Sequence, residues 1–281
     1  MSNRINAVLI ALSIRMFPNT RQDPQITDEV KIRKALGEGA GKWVKHKLPD
    51  ESLSPIREYA GQVRKFHYQH TCIWEDGRRL LSERARQNYD ARMDEFATEY
   101  WRIVDEFGEN YPRWVDQARI MHAGTFEESD YPSWSLCRQM FGFDREYSPI
   151  PNPEHFNPDM RRLYGAGLQA LTDRKIEEAV AETWNRLLDP VQKLAERLSS
   201  RSEVFREALV DNIREVTALI PSLNLTGDQR LAEAARAIEE QFSNLDIATL
   251  RESKVERRAT LEHAQNIVAR FGGIGKRKLA A

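Results

Sequence analysis

His67, His70 and Cys72 fall within six residues of one another and are the side chains most suited to holding a metal. On a helix the two histidines share a face, but Cys72 points elsewhere unless the chain turns at Thr71. No second ligand cluster stands ready to complete four-coordination, so the reading is packing: His70 continues a core face made by Tyr59, Val63 and Phe66, and His67 flanks it. None of the six histidines has Asp or Glu three or four positions before it, the spacing that a carboxylate-bridged metal site in a bundle needs. Glu95 and Glu99 share a helical face beside an apolar stripe and read as a solvated edge. Cys137, in SLCRQMF, reads as a packed thiol. Nothing pairs it with Cys72, the other cysteine of the chain.

Two glycine-rich stretches invite a phosphate-loop reading and fail it. Three residues, not four, separate Gly37 from Gly41, and Trp43 stands where a magnesium-binding hydroxyl is required. Gly272-Gly-Ile-Gly275-Lys276 has no following helix whose N-terminus can hold an anion. The residues therefore imply no catalytic, metal or cofactor site, and the chain reads as a non-enzyme.

Two basic features bear on nucleic acid. In Arg64-Lys-Phe-His-Tyr68 helical geometry sends Phe66 inward and leaves Arg64 and Lys65 as solvated charge. Lys276, Arg277 and Lys278 follow a glycine-rich stretch as a basic tail, a weak candidate contact for phosphate or an acidic partner. The 42 basic and 43 acidic side chains give a net charge of −1, which excludes a generic polyanion binder. The distribution is uneven: residues 1–70 and 254–281 each carry +5, and 71–253 carry −11. Arg outnumbers Lys 31 to 11, a bias that favours a contact-rich surface.

The elements that position these residues are mostly helical. Ala7 to Phe17 alternates like a strand, a short helix starts at Thr27-Asp28-Glu29 and ends near Gly37, and Lys42 to Leu48 returns as a second strand. Residues 1–50 thus read as a small α/β element. A first helical half spans 51–122. It opens at Ser52 before Pro55, turns through a hairpin near 71–81 on Asp76-Gly77, and continues as a long helix from Ser82 to Phe107 that Gly108 stops. Residues 123–158 hold five of the twelve prolines and form a connector with one short helix over Ser133–Phe141.

The second helical half, 159–271, begins with a helix over Pro158–Leu198, whose buried side runs from Leu171 to Leu198. A helix over 203–220 ends at Pro221, the next opens on a capping box at Thr226, and the last starts near Asn244 and stops at Gly272, before the tail at 272–281. The fold expected is mainly α, an elongated helical bundle or helical hairpin with a small N-terminal α/β element and a short β-hairpin. The uncharged stretch Ile5–Ile14 is too short for a membrane span of about 20 residues. One Arg ahead of it is a poor secretion signal, so the cytoplasm is expected.

The order of features resembles an uncharacterised helical family common in bacteriophages and plasmids. It rests on the strand LIALSIRMF, the turn Lys47-Leu48-Pro49, the hairpin IWEDGRRLL, and a long aromatic helix ending at FGENYPRW. Phe126, Asp130-Tyr131-Pro132 and Pro149-Ile150-Pro151 complete the pattern over residues 7–200; the loop at 18–41 departs from it. Genes of that family lie near a MoxR-like AAA+ ATPase and a cobaltochelatase-like protein with a von Willebrand factor A domain. The resemblance implies an adaptor that works by protein–protein contact, with such an ATPase as its partner. A homo-oligomer stays open, as does a nucleic-acid-associated factor using the basic ends.

Overall fold

The structure, a computed structural model, describes residues 5–200 and 207–278; the side chains of 207, 247, 251 and 274–278 lie outside the description. It is mainly α-helical with a small four-stranded sheet. No helix among the described residues is long and apolar enough to cross a membrane. Two compact units result, one made of residues up to 11, 66–90 and 146 onward, the other of 12–65 and 91–145.

Strand β1 (Ala7–Arg15) is the pivot of the four-stranded sheet, whose order is β4-β5-β1-β6. Strands β4 (Cys72–Glu75) and β5 (Arg78–Ser82) form the expected hairpin, and Gly77 at the turn has φ +77°, a value that glycine adopts without strain. β5 runs antiparallel to β1, with Ala7 opposite Ser82 and Ile10 opposite Arg79. In the first unit Leu9, Trp74 and Leu80 of the sheet close a core with Ala179 and Leu223. Ala179 belongs to α5 (Pro158–Ser199), opened by the Asn157 side chain accepting from Met160 N, and Leu223 to α6 (Glu207–Leu223). The larger core lies where the C-terminal half of α5 packs on α6, α7 (Gln229–Phe242) and α9 (Lys254–Lys278) around Trp184, Leu194, Ile238 and Phe271. A short helix, α8 (Ile247–Glu252), opens on the Asp246 side chain.

The second unit holds most of α2 (Asp50–His70) and of α3 (Glu83–His122). Tyr59 of α2 meets Phe96 of α3 edge-on at 6.0 Å. Further along α3, Phe107 and Tyr111 join Trp134 of α4 (Trp134–Arg138) and Phe141 in an aromatic cluster. A two-stranded ribbon, β2 (Thr20–Gln22) and β3 (Val44–His46), carries α1 (Pro24–Lys34) between its strands.

Several expected boundaries move. α3 does not stop at Gly108: a Cβ there would overlap the Trp134 indole, so the glycine serves close packing within a continuing helix. α6 runs past Pro221 to Leu223, and α9 past Gly272, which is not in the left-handed region, to Lys278. The N-cap of α7 is Asp228, accepting from Arg230 N, and not Thr226. Strand β6 (Gly142–Ser148) lies inside the stretch read as a connector.

Candidate functional site

The histidine and cysteine cluster sits at the end of α2, where the last carbonyls of the helix need partners. Thr71 Oγ1 donates to His67 O at 2.6 Å. Arg186 Nη1 donates to Tyr68 O at 2.9 Å and to Thr71 O at 3.0 Å. Arg79 Nε donates to Thr71 Oγ1 at 2.7 Å, and its guanidinium lies 4.9 Å from the centre of the Tyr68 ring. Glu182 balances both arginines, pairing with Arg186 and lying 3.6 Å from Arg79, while its Oε2 accepts from Ile73 N at 2.7 Å. Two arginines therefore cap α2 and tie the hairpin to α5.

His67 is the more buried of the two histidines, at 4% exposure, with Nδ1 2.7 Å from Tyr89 Oη. His70 is half-buried and stacked on Phe66 at 3.9 Å, so the expected roles of the pair are exchanged. Burial, helped by the charge on Arg79, pushes the His67 imidazole down to about 4. The Cys72 thiol lies 3.5 Å from Thr183 Oγ1 and 3.7 Å from Leu223 O. Burial pushes it up to about 11, and does the same to Cys137. Both are protonated thiols at neutral pH, the opposite of what a nucleophile or metal ligand requires. The arrangement is a hydrogen-bond network that holds the end of α2 to the hairpin and to α5. Among the described residues no three His, Cys, Asp or Glu side chains converge as a metal site.

In the second unit Lys45, 5% exposed, and Asp130, 6% exposed, form an ion pair at 3.1 Å. Lys45 also donates to Thr125 O at 2.7 Å, and Arg21 reaches Asp130 at 2.6 Å and Glu127 at 2.7 Å. Burial alone would raise the Asp130 carboxyl; hydrogen bonds from Arg21 and Lys45 outweigh it and hold the group below the usual carboxylate range. The cluster pins the ribbon to the turn at 125–130.

The cleft lined by Asn6, Ile150, Asn152, Glu154 and Asp173, with a volume of about 870 Å³, lies in the first unit. Its hydroxyl, on Thr172, donates to Pro151 O, and Asp173 accepts from Gln169 at 2.8 Å, so no nucleophile is set against a base there.

The least satisfied surface of that unit is on α5. Met160, Leu163, Tyr164 and Leu171 lie within roughly 100° of the helix circumference. All four are exposed, Leu163 at 66% and Leu171 at 44%. Leu171, expected on the buried side, is thus corrected to the solvent side. Gly167 lies among them with open space where a Cβ would stand. The opposite face of the same turns is packed: Gly165 approaches Pro153, and Arg161 donates to the carbonyls of Pro153, Glu154 and Phe156. Lys276, Arg277 and Lys278 fall in the last turns of α9, and their side chains lie outside the described residues. No protein-family model matches the chain, and neither a curated protein nor a solved structure does.

Proposed function

We propose that the protein is a non-enzymatic accessory protein of phage or plasmid type, acting in the cytoplasm as an adaptor through protein–protein contact. Its partner on this reading is a MoxR-like AAA+ ATPase, as the resemblance of residues 7–200 implies. The observation that carries the adaptor reading is the apolar face of Met160, Leu163, Tyr164 and Leu171 on a helix already packed from the other side. Contiguous exposed apolar surface is costly in water and marks an interaction site. Anchors spaced at i, i+3, i+4 and i+11 suit a groove that receives one helical face.

The test is a nuclease-treated affinity pull-down of the full chain from its native cells, run beside the double variant Leu163→Glu, Tyr164→Glu. The expected result is stoichiometric recovery of an AAA+ ATPase by the natural chain, reduced at least tenfold in the variant at an unchanged unfolding midpoint. Recovery of the same proteins by both forms, or of none by either, overturns the reading. A natural chain that captures only further copies of itself would replace the ATPase with a homo-oligomer.

A further inference from the structure

Helix α1 has no buried residue, although an isolated helix of 11 residues is marginal in water. It is held by local bonds: Asp23 Oδ1 accepts from Ile26 N at 3.0 Å, and the ribbon is laced to the first turn by Trp43 N donating to Thr27 Oγ1 at 2.9 Å and Asp23 N to Trp43 O at 3.0 Å. Trp43 itself stays 50% exposed. The face of α1 that carries Thr27 also carries Lys31 and Lys34, four and seven residues on, and Lys42 precedes the tryptophan. Glu29 lies on the far side of the helix. Among the described residues Lys34 and Lys42 form no ion pair, and Lys31 has only a long one, 3.9 Å to Asp28.

We propose that this arm, residues 20–46, binds single-stranded nucleic acid, a base stacking on the exposed face of Trp43 while Lys31, Lys34 and Lys42 meet the flanking phosphates. An exposed indole with Lys42 beside it in the chain, and Lys31 and Lys34 on the helix face to which Trp43 N is bonded, has the two components of sequence-tolerant strand binding, a stacking platform and positive charge. The other exposed apolar side chains of the arm, Val30, Ile32, Leu36 and Val44, stand among charged residues in the chain, and a protein partner would draw on them in place of the Trp43 ring.

The experiment is anisotropy of a labelled oligothymidylate of about 15 nucleotides, titrated with the full chain between about 50 and 200 mM salt. Binding should weaken roughly tenfold in Trp43→Ala, as the loss of one stacked base does, and be restored in Trp43→Phe. Changing Lys31, Lys34 and Lys42 together to Gln should lower the slope of log affinity against log salt by about 2, close to 0.7 per phosphate released. Circular dichroism should show every variant folded, because none of these side chains is in a core. No binding at the lowest salt overturns the proposal, as does binding indifferent to Trp43→Ala. Binding lost only on removing Lys276, Arg277 and Lys278 would move the activity to the C-terminus, and preference for polyglutamate over the oligonucleotide would make the arm an acidic-protein contact.

Discussion

At the scale of single residues, His67 links a local contact to the stability of the whole chain. In the folded state its imidazole is neutral until about pH 4, first because burial disfavours the charge and then because Arg79 repels it. Unfolded, it takes up a proton near its ordinary value of 6.5. Between those values the unfolded chain binds the extra proton, so this contribution is complete above pH 6.5 and is lost as pH falls toward 4. The full effect is at most about 3 kcal/mol. Urea midpoints measured across that window should fall for the natural chain, and fall less for His67→Gln. Equal slopes would mean that His67 titrates normally in the folded protein. The histidine pair was visible as residues in the sequence, but not the assignment of burial between them. Nor were Arg79, Glu182 and Arg186 legible: they meet from positions about a hundred residues apart, and arginine on a hairpin or helix reads as solvated charge until the partner is known.

At the scale of elements, Gly108 shows why helix stops are weak signals. Glycine inside a helix costs about 1 kcal/mol relative to alanine. That is less than a packed aromatic cluster returns, and here the missing Cβ is what lets the Trp134 ring close on α3. Gly108→Ala should therefore destabilise the protein by roughly 1–3 kcal/mol despite its better helix propensity. In a Trp134→Leu background the same change should cost less, and a double-mutant cycle on denaturation free energies measures the difference. An additive cycle would show that the indole does not hold the glycine. α6 likewise crosses Pro221 and α9 crosses Gly272. Signals that demand a conformation were legible, as at Asp76-Gly77 with its positive φ and at Pro158, which opens α5. Signals that merely permit one were not. Strand β6 was hidden because GFDREYS is polar on its outward positions and stands among prolines, so no run of apolar alternation announces it.

At the scale of the whole molecule, apolar surface divides between holding the fold and meeting other molecules, and α5 carries both roles along its length. From Val180 to Leu198 its buried valines, leucines and Trp184 belong to the core shared with α6, α7 and α9. In its first turns the only buried positions before Ala179 are Gly165 and Thr172, and Leu163 and Leu171 face solvent. A periodic stripe read from Leu171 to Leu198 cannot reveal where burial ends, because hydrophobic spacing is identical for a core face and a docking face. Substitution separates the two. Leu194→Ala removes a side chain with 0% exposure and should cost about 2–5 kcal/mol through lost burial and a cavity. Leu163→Ala, on the same helix, should change the unfolding free energy by no more than about 0.5 kcal/mol. Urea denaturation of both variants checks the pair. A substantial loss in Leu163→Ala would mean that the first half of α5 is covered within the folded chain, and the adaptor reading would then lack the surface it requires.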